Sequence, residues 1–249
     1  MQEFENKVVL VVGATSGIGK AIAEKFAANG ATVIITGRRE QKGAEVVTQL
    51  QNKGYKADFA KMDVMDIPQS EKTLDAVVAK YGRLDVFAYN AGIAGYGDLD
   101  SQEWDNIMNT NAKAAYFLAR AAYAHLKSTK GVIVFTSSMS GMKAACNISQ
   151  DAGIAYGMSK AAVNHMVSML ALKYGSDGVR VNAVAPGVTK TDILSGVSPD
   201  LMQQLEDEIP LKFAADPEDM ANLAYFLCSN DSRFITGEVV NANGGAGIN

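Results

Sequence analysis

Short runs of apolar residues alternate along the chain with longer stretches in which apolar positions recur every three or four residues. The short runs are Lys7–Val12 (KVVLVV), Thr32–Thr36 (TVIIT), Lys56–Met62, Leu84–Tyr89, Val132–Thr136, Val179–Val184 and Glu238–Val240. Their length and β-branched content predict seven strands. The intervening stretches predict helices over Ile18–Asn29, Glu40–Lys53, about Pro68–Tyr81, Gln102–Leu126, Ile154–Tyr174 and Pro217–Ser229. Strands apolar on both faces and alternating with helices imply a parallel sheet covered on both sides. No repeat, low-complexity tract or linker divides the sequence. The expectation is therefore an α/β fold, one doubly wound domain over residues 1–249 with a seven-stranded parallel sheet and helices on both faces. Ligands of such sheets bind outside the C-terminal strand ends, so chemistry is sought just after each strand.

The first strand runs directly into Gly13-Ala14-Thr15-Ser16-Gly17-Ile18-Gly19, where a helix begins. Glycines there permit a tight turn, close approach of backbone to a phosphate, and close helix–strand packing. The free N–H groups of the helix start then bind a pyrophosphate. The spacing is G-x3-G-x-G instead of G-x-G-x-x-G, but its place at the first strand–helix junction points to a Rossmann-type dinucleotide site. The second strand ends in Thr36-Gly37-Arg38-Arg39. An acidic residue for the ribose 2′-hydroxyl is missing, and two guanidinium groups follow instead. A carboxylate repels a 2′-phosphate, whereas a guanidinium pairs with it bidentately. Arg38 and Arg39 thus favour NADP(H) over NAD(H).

Composition narrows the picture. The 249 residues are 48% hydrophobic and 20% charged, as in a globular chain. Two cysteines, Cys146 and Cys228, exclude a disulfide framework or a four-cysteine zinc site. Two histidines, His125 and His165, add no reason to expect a metal. A net charge of −4 disfavours nucleic acid and anionic membrane as partners. The first seven residues carry two acids and no apolar run, and no apolar segment is long enough to span a bilayer. A soluble, cytoplasmic protein is expected.

Tyr156-Gly157-Met158-Ser159-Lys160 sets a phenol and an ammonium four residues apart, on one face of a helix. A tyrosine with a pKa of about 10 is a poor base near neutrality, and a neighbouring cation favours its phenolate. With this pair in place, the chain resembles the short-chain dehydrogenase/reductase family along essentially its whole length. The matching elements, in order, are Gly13-x3-Gly17-Ile18-Gly19, Asp63-Val64, Asn90-Ala91-Gly92, Asn111, Ser138, Tyr156-x3-Lys160, Pro186-Gly187 and Gly244-Gly245.

The resemblance implies that Tyr156 is the general acid/base. It also implies that Lys160 lowers the Tyr156 pKa and holds the nicotinamide ribose, and that Ser138 orients the substrate oxygen. Asn111 would bind a water that links Lys160 to solvent. Ser137 and Ser140 compete with Ser138, which is preferred because Gly141 follows it by three residues. Cofactor contacts are expected from Gly13, Thr15, Ser16, Gly17, Ile18 and Gly19. Further contacts are expected from Asp63 and Val64 at the adenine, and from Asn90, Ala91 and Gly92 along the adenosine ribose. Pro186, Gly187, Val188 and Thr189 would frame the nicotinamide, with Thr191 within reach of a phosphate. Asp63 also reads as a turn residue, and Asn90 as a purely structural amide. Three departures stand out. Val12 replaces a threonine, Tyr89 replaces an asparagine, and Ser138 lies eighteen positions before Tyr156, several more than is common. The extra segment, around 143–153, contains Cys146, Ile148 and Asp151 and is expected to form a loop beside the pocket.

Residues 189–213 are expected to form a substrate lid. Asp192, Asp200, Glu206, Asp207 and Glu208 there outnumber Lys190 and Lys212. That balance disfavours a polyanionic acyl carrier, and the segment's Leu194, Val197, Leu201, Met202 and Leu205 suit an apolar lining. The expected reaction is hydride transfer between NADP(H) and a secondary alcohol or ketone, on a neutral or amphipathic substrate such as a hydroxysteroid, polyol or sugar. Competing readings are a 3-oxoacyl-[acyl-carrier-protein] reductase and a non-catalytic dinucleotide sensor or scaffold. Alanine-rich helices at Gln102–Leu126 and Ile154–Tyr174 resemble those that pair subunits in similar enzymes, so a homotetramer is expected.

Overall fold

A computed structural model describes residues 3–95, 98–143, 151–194 and 196–247. Seven strands, β1 (Val8–Val12), β2 (Thr32–Gly37), β3 (Lys56–Lys61), β4 (Val86–Tyr89), β5 (Val132–Thr136), β6 (Arg180–Pro186) and β7 (Val239–Ala242), form one sheet. Its order is β3-β2-β1-β4-β5-β6-β7, and every pairing is parallel. The order reverses between β1 and β4, which opens a crevice at their C-terminal ends.

Alternation along the strands makes two cores. Leu10 and Phe87 face one side with Leu74, Leu118, Val163 and Val167. Val9 and Val11 face the other with Phe26, Leu50, Met220 and Leu227. The first core is covered by α3 (Ile67–Tyr81), α5 (Ala114–Thr129) and α6 (Asp151–Tyr174); the second by α1 (Gly17–Ala28), α2 (Glu40–Asn52) and α8 (Pro217–Cys228). Asp85 fastens the entry to β4. Its carboxylate accepts the Val8 N–H at 2.9 Å and pairs with Arg83, so a buried charge is both neutralised and hydrogen-bonded.

The strands and most helices fall where the periodicity places them, with ends shifted by a few residues. The long helix expected over Gln102–Leu126 differs. It consists of α4 (Ser101–Met108), a π turn over Asn109–Lys113, and α5. Asp100 caps α4 by accepting the Glu103 N–H at 2.7 Å. The π turn leaves the apolar spacing of the flanking segments intact, so periodicity does not disclose it. Tyr89 accounts for its own departure here. Its hydroxyl is buried and donates to the Thr110 carbonyl within the π turn at 2.6 Å. Within the lid segment, Pro199–Glu208 is a helix, α7, capped by Ser198. Cys146 and Ile148, in the extra segment, lie outside the described residues.

Candidate active site

The glycine loop leaves β1 with Gly13 at a φ of 79°, and both Gly13 and Ala14 donate backbone N–H groups to the Thr36 carbonyl. A Cβ at Gly13 would come within 2.7 Å of the Ala91 backbone, and one at Gly19 within 2.3 Å of the Gly13 carbonyl oxygen. Only glycine allows loop, helix and β4 to approach this closely. Ser16 is the N-cap of α1 but its side chain does not cap it, so the first N–H groups of the helix remain available to an anion. Arg39 reaches back over the loop and donates to Thr15 Oγ1 at 3.0 Å and Ser16 Oγ at 3.3 Å. Arg38 stands beside it at the rim. A Cβ on Gly37 would meet the Thr15 methyl group at 2.7 Å, so Gly37 is demanded by packing as well as by the charge it does not carry.

Asn90 closes the crevice from above the sheet. Its amide donates to the Gly13 carbonyl at 2.9 Å and its oxygen accepts from Thr136 Oγ1 at 3.0 Å, tying the ends of β1, β4 and β5 together. The bracing role expected of Asn90 is therefore built into these bonds. Asp63 accepts the Met65 N–H at 3.1 Å, a turn contact, and also lines the crevice.

The crevice has a volume of about 560 Å³. It gathers the glycine loop, Arg38, Arg39, Asp63, Val64, the Asn90–Gly92 segment, Ser138, Tyr156, Lys160, and Pro186 to Thr189 with Thr191. Of the residues singled out in the sequence, Gly19 and Asn111 do not line it. Met65, Ile93, Asn106 and Thr110 do line it and were not singled out. Met65 and Ile93 immediately follow expected site residues at strand ends, which is the one signal that pointed to them. Asn106 and Thr110 enter through the α4–π-turn segment.

Lys160 is buried, 4% exposed, and its ammonium donates to the Thr136 carbonyl at 2.8 Å. It stands 5.7 Å from the centre of the Tyr156 ring, so the two side chains share the crevice floor. Burial pulls the Lys160 pKa down from 10.5 to about 8, because the desolvated ammonium has lost its hydration. Asn111 lies in the π turn and is 1% exposed. Its oxygen accepts the Ile93 N–H at 2.9 Å, and its amide donates to the Ile93 carbonyl at 2.9 Å and to Ser159 Oγ at 3.0 Å. Both N–H donors are thus taken by protein, and the side chain clamps Ile93 beside Lys160. Ser159 donates in turn to the Tyr156 carbonyl at 2.7 Å; sequence reasoning passed over this link because it lies inside a motif read for its two ends.

The serine rivalry resolves by geometry. Ser137 is 2% exposed and its hydroxyl donates to the Asn164 oxygen. Ser140 does not line the crevice. Ser138 lines it, and its Oγ accepts the Ser140 N–H at 3.2 Å, leaving its own proton to give. Among the described residues, no three metal-ligating side chains cluster, and no helix is long and apolar enough to cross a membrane.

These features agree with comparisons against known proteins. A family model described as enoyl-(acyl carrier protein) reductase matches residues 13–247. A meso-2,3-butanediol dehydrogenase of Serratia marcescens is 36% identical over 98% of this chain and 95% of its own. A 3alpha-hydroxysteroid dehydrogenase of Mediterraneibacter gnavus is 34% identical over 98% of both chains. Among solved structures, a 7 alpha-hydroxysteroid dehydrogenase in complex with NADH and 7-oxo glycochenodeoxycholic acid superposes with a TM-score of 0.92. It is 28% identical, over 98% of this chain and 96% of the other. Fold, crevice and relatives converge: the chain belongs to the short-chain dehydrogenase/reductase family of oxidoreductases that act on CH–OH groups.

Proposed function

We propose that the chain interconverts a neutral or amphipathic secondary alcohol and its ketone with NADP(H) as coenzyme. The observation that carries the reading is the meeting of Tyr156 and a buried Lys160 on the floor of the crevice that the glycine loop opens. A dinucleotide fits the residues present. Gly13 and Gly19 admit no side chain, and the uncapped start of α1 suits a pyrophosphate. The bound nicotinamide supplies or accepts the hydride. Tyr156 gives or takes the proton at the substrate oxygen, and Ser138 donates a hydrogen bond to that oxygen. Lys160, as the cation, favours the phenolate during that exchange. Asn111 holds the Ile93 backbone beside Lys160 and keeps the wall of the site closed.

Arg38 and Arg39 at the adenosine end, with Gly37 in place of a carboxylate, support a ribose 2′-phosphate. Residues 189–213 serve as the substrate lid. Their acidic excess disfavours an acyl-carrier partner, and the named activities of the butanediol and hydroxysteroid relatives point to small or amphipathic alcohols. The reading places the protein in the cytoplasm as a homotetramer. Ile154, Met158, Met169 and Leu172 are exposed along one side of α6, Leu172 at 82%, while its opposite side packs on the sheet. A helix apolar all round is suited to burial on both faces. Sedimentation should give four chains per particle, and Met158→Glu should split it; a monomeric wild type refutes the assembly.

The central test is an absorbance screen of diols, sugars, hydroxysteroids and acyl thioesters with both coenzymes. Silence across the panel overturns the reading. With a substrate in hand, Tyr156→Phe should cut turnover by about 10³-fold and leave coenzyme affinity intact. Arg38→Ala or Arg39→Ala should weaken NADPH about 30-fold, as for loss of a charge-assisted bond of about 2 kcal/mol, and leave NADH unchanged by fluorescence titration.

Burial of Lys160 has a pH signature. Its folded pKa lies below the ordinary 10.5, so the cost of burying the ammonium, about 3 kcal/mol, is fully present below pH 8. It disappears as pH rises towards 10.5. Lys160→Met should therefore stabilise the coenzyme-free protein most at about pH 7, with the gain shrinking towards about pH 10. Urea unfolding across that range measures it, and a constant difference would contradict it.

A further inference from the structure

Asn164 follows Lys160 by one turn and Tyr156 by two on α6, so the three share one face of the helix. It does not line the crevice. Its carboxamide instead crosses to the segment after β5. The amide nitrogen donates to the Gly141 carbonyl at 3.0 Å, and the oxygen accepts from the Ser137 hydroxyl. A backbone carbonyl can only accept, so Gly141 fixes which way the amide points, and Ser137 must be the donor on the other side.

These two anchors bracket Ser138. Ser137 precedes it, and Gly141 closes the short 3-10 turn Met139–Gly141 that Ser138 caps. The turn is pressed onto the helix itself. A Cβ on Gly141 would lie 2.5 Å from the Lys160 carbonyl carbon, and Ser137 Oγ stands 3.5 Å from the Lys160 carbonyl oxygen.

Something other than chain connectivity must set this separation. Ser138 and Tyr156 are eighteen positions apart, and the restraint that a connecting segment places on its ends changes only logarithmically with its length. The short way between the two hydroxyls runs through space, from the Ser138 turn to α6, and Asn164 is the side chain that spans it. We propose that Asn164 is a positioning residue: it clamps the Ser137–Gly141 turn to α6 and so sets the Ser138 hydroxyl against Tyr156. The proposal rests on the reading of Ser138 as the donor to the substrate oxygen.

The test is a double-mutant cycle on the best substrate of the screen, with kcat, KM, NADPH affinity and thermal unfolding measured for each protein. Asn164→Ala should lower kcat by about 10- to 100-fold, the scale of a misplacement of about 1 Å, with NADPH affinity unchanged. Asn164→Asp should fall as far. It keeps the acceptor for Ser137 but turns a second acceptor towards the Gly141 carbonyl. Being isosteric, it carries the comparison if the alanine variant does not fold. In a Ser138→Ala background, Asn164→Ala should add no further loss, because the position of an absent hydroxyl is immaterial. A purely structural role would instead multiply the two losses. Wild-type kcat in both Asn164 variants, or multiplying losses, overturns the assignment of Asn164 and leaves Ser138 standing. Wild-type kcat in Ser138→Ala overturns the Ser138 reading and this proposal with it.

Discussion

A lysine ammonium enclosed by protein governs the geometry of the crevice. Lys160 is held by one backbone carbonyl, that of Thr136 at the end of β5, and the charge is tolerable only because the surroundings are fixed around it. Thr136 uses its side chain to hold Asn90, and Asn90 holds the glycine loop. On the other side, Asn111 secures Ile93 and reaches Ser159, the residue before Lys160. Every one of these bonds lies near the C-terminal edge of the sheet. The coenzyme end and the proton-transfer end of the crevice are therefore parts of one hydrogen-bonded frame, and buried polar frames of this kind are rigid when every member is satisfied.

The fold was legible because its strongest signals are local. Val8–Val12 and Thr32–Thr36 are apolar on both faces, and this pattern has few uses outside a sheet sandwiched between helices. The glycine loop was legible for the same reason, since its tight turn and close approaches need small residues at fixed places. What escaped the sequence is relational. The π turn at Asn109–Lys113 preserves the apolar spacing on either side of it, so periodicity continues as if the helix were regular. Tyr89 looked like an unexplained departure until its hydroxyl was seen at Thr110.

The site shows the same division. Tyr156 and Lys160 carry their spacing in the chain and could be paired from it. Ser159 and Asn164 could not, because their importance lies in Asn111, Ser137 and Gly141, all remote in sequence. Arg39 was chosen for its charge, yet its bonds to Thr15 and Ser16 also make it part of the glycine loop's upper wall. The readings at Cys146 and Ile148 concern residues outside the described structure and inform neither list.

The π turn restricts how this chain can change its length. Removing one residue between Asn109 and Lys113 would leave a regular helix, but it would rotate Ser101–Met108 by about 100° against Ala114–Thr129. Asn106 would then swing away from the crevice rim, and Thr110 would lose its alignment with the Tyr89 hydroxyl. Substitutions along the outer face of this helix are absorbed one side chain at a time, whereas a single-codon deletion inside it would move a whole wall of the site at once.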